Sequence, residues 1–323
     1  MALSFSGISA YTKQEIAPLL TEAVFAAKTQ SLIKSGGILL PKTKSSVAVP
    51  KLATNANFQA DACGWNASGT TTISQATIAV GKIKVEEAIC TKDFEAYFTQ
   101  EALKAGSTYE DFGWAEFSTK FTEQKNKMIA KQLEIGLWQG DTDSTSENLK
   151  RFDGLIKIID AASGVIEANV SGFMTGAPYS VSGGITVNNI INIMQGVYRA
   201  LPVELLGKAD TKIFIGMNNF RTYQMALTNA NLFHYNADSS VSNFEIVIPG
   251  TNLTVIGVNG LNSTNRIYAM QLSNVFFGTD LLGEEDNYEI FYAKEAMEVR
   301  YHVAFKAGVQ IAFPEEIVKF TLA

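Results

Sequence analysis

The sequence has few of the residues that carry covalent cross-links, with two cysteines in 323 residues. Cys63 and Cys90 provide neither a disulfide framework nor a CxxC metal pair, so we expect two reduced thiols. The amino-terminal stretch lacks a basic segment followed by a continuous apolar run, which argues against a secretory signal and a membrane span. These absences indicate a protein made in the cytoplasm.

Charged residues are also scarce, at 18% of the chain against roughly 25% in average soluble proteins. The net charge of −6 gives no support to a nucleic-acid-binding role, which needs a cluster of cationic side chains. A protein of this charge can still enclose nucleic acid without gripping it. The hydrophobic fraction of 46% is ample for a buried core.

The sequence lacks the motifs that mark common catalytic sites. GxSxG, HExxH, GxxxxGK[ST] and a GxGxxG that follows a strand are all missing. Of the two histidines, His234 is predicted in a loop, and His302 alternates with its neighbours as a satisfied strand residue does. The acidic run 284–286 is typical of a solvated turn, although folding could still pair carboxylates. We therefore assign no catalytic residue, no cofactor-binding residue and no cofactor.

Residues 141–147, DTDSTSE, begin like a calcium-binding loop because Asp141, Asp143 and Thr145 place oxygen atoms at the spacing of its first ligands. The sixth loop position requires glycine and holds Ser146 instead. The twelfth position requires an acidic residue and holds Phe152. We therefore predict no metal ligands here.

Residues 107–140 predict one helix of about 45 Å. Ser107 and Glu110 fit a capping box at its start, and Gly140 stands where a left-handed stop belongs. We expect its apolar stripe to pack on the last strands of the same chain. The stripe is formed by Trp114, Phe117, Phe121, Met128, Ile135 and Trp138.

Residues 45–90 predict a long hairpin with a broad tip, because β-branched residues alternate in two runs around a polar centre. Neither face carries many large apolar side chains, and an isolated two-stranded ribbon is marginal in water. The hairpin should therefore need another surface to lie on.

The remaining elements alternate without a regular βαβ order. A short amphipathic arm helix is predicted within residues 11–34, in a locally basic stretch whose contacts with solvent or a partner stay open. Further short helices are expected at 94–105, 187–201 and 220–227, the last capped by Asn218 or Asn219, and residues 155–159 form an apolar run. Strands are predicted at 212–217, 245–248, 253–258, 266–270, 275–277, 288–292, 297–305 and 309–313. This mixture indicates the α+β class.

In this combination the chain resembles the major capsid proteins of tailed bacteriophages, which have the Hong Kong ninety-seven type fold. The resemblance lies in element order and covers nearly the whole chain. It is carried best by the segments KIFIGMNNFRTYQMAL, RIYAMQLSNVFFGTDL and EVRYHVAFKAGVQIAFPEEIVKF.

The resemblance implies a division of the chain into arm, hairpin and two domains. The peripheral domain would contain the long spine helix, and the arm and the hairpin, or E-loop, would lie across neighbouring subunits. The implied ranges are 1–44 for the arm, 45–92 for the E-loop, 93–185 and 284–323 for the peripheral domain, and 186–283 for the axial domain.

The resemblance also implies a function. It indicates a structural, non-enzymatic protein of the virion that self-assembles in the host cytoplasm into pentamers and hexamers of an icosahedral head around double-stranded DNA. A portal is an expected partner, with scaffolding or decoration proteins possible in the family. Because the predicted arm begins at Met1, we expect a separate scaffold or none. The Lys–Asn cross-link of some relatives is not assigned, since no asparagine partner stands out for Lys51, Lys82 or Lys84. An encapsulin-like compartment shares the fold and stays open, as does a hydrolase or carbohydrate-binding protein.

Overall fold

A computed structural model describes residues 27–61, 63–65, 67–90, 114–230, 244–280, 288–293, 295–296 and 298–323. The helices in these ranges are α1 (Thr29–Gly36), α2 (Trp114–Gln139), α3 (Leu155–Ala161), α4 (Ile190–Ala200), α5 (Val203–Leu206) and α6 (Met217–Asn229). The strands are β1 (Ile38–Leu40), β2 (Ser46–Thr54), β3 (Thr71–Ala79), β4 (Gly81–Cys90), β5 (Ile166–Glu167), β6 (Thr211–Gly216), β7 (Glu245–Val247), β8 (Thr254–Val258), β9 (Ile267–Gln271), β10 (Val275–Gly278), β11 (Tyr288–Ala293), β12 (Glu298–Ile311) and β13 (Val318–Phe320).

The first sheet has five strands and is built around β12. The first part of β12 pairs with β11 on one side and β4 on the other, both antiparallel. Its last part pairs with β10, which also carries β1 in parallel. Side chains along β12 alternate between buried and exposed, so one face is covered and the other is open, as its sequence pattern predicts. The two strands predicted at 297–305 and 309–313 are one continuous strand.

The second sheet has six strands in the order β5-β13-β9-β6-β8-β7. Its strands β6, β8 and β9 are almost entirely buried. Helices α4 and α6 contribute apolar side chains to one core cluster with residues of this sheet, including the predicted face Ile190, Ile193, Met194 and Val197. The prediction that Asn218 or Asn219 caps α6 is wrong, because the helix begins at Met217 and no side chain caps its first turn locally. The Asn218 N–H instead donates a hydrogen bond to Asn262 Oδ1 at 3.4 Å.

The long helix α2 packs in one core cluster that contains side chains from both sheets. Near its start, the Phe121 ring meets Tyr301 of β12 edge-on, with ring centroids 5.8 Å apart. At its end, Trp138 stacks on Tyr268 of β9 at 5.6 Å. The predicted packing on the final strands is therefore confirmed for Phe121, whereas Trp138 packs on the second sheet. The side chains of Trp114 and Phe117 lie outside the described residues.

The end of α2 differs from the prediction. The helix stops at Gln139, but Gly140 does not have the positive φ of a left-handed stop. Instead, Gly140 is required by close packing, because a Cβ there would lie 2.5 Å from the carbonyl oxygens of Gly136 and Phe152. The predicted capping box and the helix predicted at 94–105 lie outside the described residues. None of the helices in the described ranges is both long enough and apolar enough to cross a bilayer.

Candidate assembly surface

The hairpin of β2 and β3 has two different faces. Nine residue pairs hold its strands in register from Ser46 opposite Ala79 to Thr54 opposite Thr71. Val49 and Ile78 lie on the face that meets the body, where Ile78 is completely buried. Leu52 and Ile73 are paired on the opposite face and are 61% and 76% exposed. Alternation along the strands thus places Val49 and Ile78 in the core and the pair Leu52 and Ile73 in solvent.

The base of the hairpin is bound to the end of the first sheet. Val49 and Ile78 form a small apolar cluster with Phe276 of β10 and Ala312. Lys51 donates a hydrogen bond from Nζ to the Ala312 carbonyl oxygen at 2.7 Å. These contacts fix only the part of the ribbon that is nearest the body.

Two glycines let the chain pass closely between neighbouring segments at the hairpin root. A Cβ on Gly81, the first residue of β4, would collide with the Arg151 carbonyl group. On the other side, a Cβ on Gly308 of β12 would collide with the Ala79 carbonyl oxygen. At Val80 the chain passes directly from β3 to β4, and backbone of neighbouring segments packs against both sides of this connection. The hairpin predicted at 45–90 therefore ends at Ala79, and residues 81–90 form β4 of the first sheet.

The tip of the hairpin is ordered by polar contacts and presents aromatic side chains to solvent. Asn55 Oδ1 accepts hydrogen bonds from the Thr70 N–H at 2.7 Å and from its hydroxyl at 3.0 Å, which joins the two sides where the strands end. Phe58 and Trp65 lie beyond this point and are fully exposed. Apolar side chains this exposed are typical of a contact surface.

The residues examined for catalysis fall elsewhere. His302 lies on β12 opposite Glu86 of β4, with 3.3 Å between His302 Nδ1 and Glu86 Oε1. A hydrogen bond from Lys84 lowers the pKa of Glu86 from its ordinary value, with a smaller contribution from His302. The predicted role of His302 as a satisfied strand residue is confirmed. His234 and the acidic run 284–286 lie outside the described residues.

The calcium-like loop is occupied by a lysine side chain. Lys157 of α3 places Nζ 2.6 Å from Asp141 Oδ1, 2.7 Å from Asp143 Oδ2 and 2.9 Å from Asp153 Oδ1. Hydrogen bonds from Lys157 lower the pKa of Asp141, and the three carboxylates together raise the pKa of Lys157. The ammonium group thus supplies the positive charge that a metal would supply. The sequence pattern revealed the acids but not Lys157, which lies on the next helix.

The lysines considered for cross-linking have different surroundings. Lys51 is engaged by the Ala312 carbonyl group, and Lys84 forms an ion pair with Glu86 at 2.7 Å. Cys63 and Cys90 are both free thiols, the first exposed at the hairpin tip.

A second feature that sequence reasoning missed is a buried cluster of Thr29, Glu134 and Trp138, in which distant segments meet.

The chain matches no protein-family model and no curated protein sequence. It is similar to solved capsid structures over nearly its whole length. The capsid of Myoviridae phage XM1 has a TM-score of 0.55 at 14% identity, covering 96% of this chain and 97% of that chain. The capsid of cyanophage P-SCSP1u has a TM-score of 0.58 at 11% identity, covering 98% and 94%. The capsid of an empty GTA particle has a TM-score of 0.55 at 11% identity, covering 97% and 95%.

The fold is therefore that of phage capsid proteins, as predicted from the sequence, and the α+β class is confirmed. The similarity covers both this chain and the solved chains almost completely, so it is not limited to one shared domain. At such low identity the likeness establishes the fold.

Proposed function

We propose that this chain is a structural capsid protein, not an enzyme, that assembles into pentamers and hexamers of an icosahedral shell around double-stranded DNA. The main support for this proposal is the hairpin. Its base packs against its own subunit, whereas its outer apolar side chains are exposed, namely Leu52, Ile73, Phe58 and Trp65. A second copy of the chain is the partner that would cover them. The capsid fold supports this reading, because the similar chains come from capsids.

The predicted domain boundaries are part of this proposal. Residues 186–283 would form the axial domain at the centre of each ring, and the peripheral domain would combine 93–185 with 284–323. Ring contacts are heterologous, and the hairpin adds contacts between subunits, so each subunit makes several modest interfaces. A portal, and scaffolding or decoration proteins, would be further partners, and the virion would be the site of the mature protein.

Deleting residues 54–70 tests the role of the hairpin. We expect the deletion variant to fold, because both large core clusters lie outside these residues. It should sediment as a small species and give no closed particles in negative-stain micrographs, whereas the full chain should form particles in the megadalton range. Normal particles from the deletion variant would show that the hairpin is not needed for closure.

A second pair of variants tests the aromatic tip without removing the loop. Replacing Phe58 and Trp65 together by serine should prevent closure, since it removes most of the apolar area at the tip. Replacing both by tyrosine keeps an aromatic ring at each position and should preserve particles. Equal assembly of the two variants would contradict the proposed contact.

Nuclease-protected DNA in particles from infected cells would support a head, and an enzyme cargo would support an encapsulin-like compartment.

A further inference from the structure

A buried carboxylate connects the amino-terminal helix α1 to the long helix α2. Glu134 of α2 is only 1% exposed. Its Oε2 accepts a hydrogen bond from the Thr29 N–H at 2.9 Å, and its Oε1 accepts one from the Thr29 hydroxyl at 2.5 Å. The Trp138 indole N–H donates to the same hydroxyl oxygen at 2.8 Å. The backbone N–H groups of Gln30 and Gly260 also donate to Glu134.

This arrangement is a helix cap supplied from another helix. The first turn of any helix leaves backbone N–H groups without partners, and the oxygens of a carboxyl group can accept hydrogen bonds from them. Lys28, the residue just before α1, makes no side-chain hydrogen bond that would cap the helix. The buried residues of α1 are Thr29, Gln30 and Ile33, so two of the three are polar. The docking of α1 therefore depends strongly on Glu134.

Within the residues that the structure describes, the Glu134 carboxyl group forms no ion pair with a cation. The groups that hydrogen-bond to the carboxylate are a hydroxyl and backbone amides. On the adjoining elements, Lys28 is held by Glu245 of β7 at 2.9 Å, and Lys131, one turn earlier on α2, is partly exposed. An ionised carboxylate buried with neutral donors alone carries a large desolvation cost.

We propose that Glu134 is a latch, which holds α1 against α2 while the carboxyl group is neutral and weakens that docking when the group ionises. The latch would also control a contact with the second sheet, because Lys28 precedes α1 directly and pairs with Glu245 of β7. Detachment of α1 would thus also break the ion pair between Lys28 and Glu245. The proposal does not depend on the capsid function.

The direction of the pH dependence follows from the buried position. Burial raises the pKa of Glu134 from 4.5 to about 7, although the hydrogen bonds from Thr29, Gln30 and Gly260 act to lower it. Between these two values the docked state binds more protons than the undocked state, in which Glu134 meets water. Docking is therefore fully stabilised below about pH 4.5, and this stabilisation is lost as the pH rises to about 7.

Hydrogen exchange on the full-length, unassembled protein tests the latch. Protection of the amides in Thr29–Gly36, corrected for the intrinsic exchange rate, is measured between about pH 5.5 and 8. We expect protection to fall on the order of tenfold or more over this range. Strand β6, deep in the second core, should keep its protection and serves as the internal reference. A flat profile for α1 would overturn the proposal.

Three variants separate the latch from a merely structural contact. Glu134→Gln cannot ionise, so its profile should be flat, and a retained pH slope would contradict the proposal. Thr29→Val removes a hydrogen bond that favours the ionised form, so the midpoint should move to higher pH. An unmoved midpoint contradicts the latch even if the glutamine variant does not fold. Glu123→Gln changes an exposed carboxylate on the same helix and should reproduce the wild-type profile.

Discussion

Single residues at the hairpin root illustrate how backbone contacts restrict this sequence. Neither Gly81 nor Gly308 has a positive φ, so their requirement for glycine comes from space rather than from backbone conformation. Each faces a carbonyl group that belongs to the backbone of a neighbouring segment, and a backbone atom cannot move aside as the end of a flexible side chain can. The direction in which the hairpin leaves the body thus depends on two missing methyl groups.

Replacing Gly81 by alanine should be strongly destabilising. The new Cβ would force β4 away from Arg151, and such overpacking typically costs about 1–3 kcal/mol, occasionally more. The measurement is the free energy of unfolding from denaturant titration. Gly69→Ala is the matched control, because its Cβ would lie 3.4 Å from the Asn55 carbonyl oxygen in an exposed position. Equal stability of the two variants would contradict the close approach at Gly81.

The Lys157 cluster shows a residue whose role depends on folding. Asp141 and Asp143 lie in a turn, whereas Lys157 belongs to α3, which begins at Leu155. Helix α3 places the Lys157 ammonium group over this turn, so the charge that neutralises the aspartates comes from the protein itself. This geometry gives a physical reason, beyond the missing Gly and Glu of a calcium loop, why the acidic motif needs no metal.

At the scale of elements, the hairpin is a ribbon fixed at one end. Its buried contacts are concentrated on Val49 and Ile78, and the outer pair Leu52 and Ile73 has no apolar neighbour cluster in the described part of the chain. A two-stranded ribbon has little stability of its own. We therefore infer that the order of the outer hairpin in solution depends on the anchor at its base.

Truncating Ile78 tests this dependence. Ile78→Ala removes a fully buried side chain, a change that typically costs about 2–5 kcal/mol, and here the loss should act on the hairpin first. We expect faster amide exchange in Thr71–Ala79 and unchanged protection in β6. Ile73→Ala on the same strand removes the same atoms from an exposed position and should change stability by less than about 0.5 kcal/mol. Similar exchange in both variants would refute the anchor.

The long helix is the element that unites the molecule. Its contacts run from Tyr301 of the first sheet to Tyr268 and Phe214 of the second, so it belongs to both parts of the main core cluster. A substitution at either end should therefore affect the packing of a different sheet. The helix also receives α1 through Glu134, which makes it the shared support of three parts of the chain.

At the scale of the whole molecule, the proposed shell would add stability that no single subunit has. Association with the folded state raises the melting temperature by mass action. Intact particles of the full chain should therefore melt at a higher temperature than the variant with serine at Phe58 and Trp65. The same full chain, dissociated before the scan, should melt close to that variant. Calorimetry checks both, and equal melting of particles and dissociated chains would argue against collective stabilisation.

The sequence by itself determined the α+β class, most strands, the long helix and the hairpin, because each depends on local periodicity and turn residues. The contrast between the hairpin and a packed sheet was also visible in the sequence, since few large apolar residues recur along it. The capsid fold itself was implied by the resemblance of the element order to the tailed-phage capsid proteins.

Tertiary structure alone decided which distant residues meet. It placed Lys157 in the acidic turn, Glu134 at the start of α1, and Gly81 against the Arg151 carbonyl group. It also joined two predicted strands into β12 and redirected the end of the hairpin into the first sheet. The physical reason is that such contacts link segments far apart in the chain, whereas periodicity reports only which face of one element is buried. The absence of catalytic motifs from the sequence gave no indication of the buried carboxyl group of Glu134, on which the proposed latch depends.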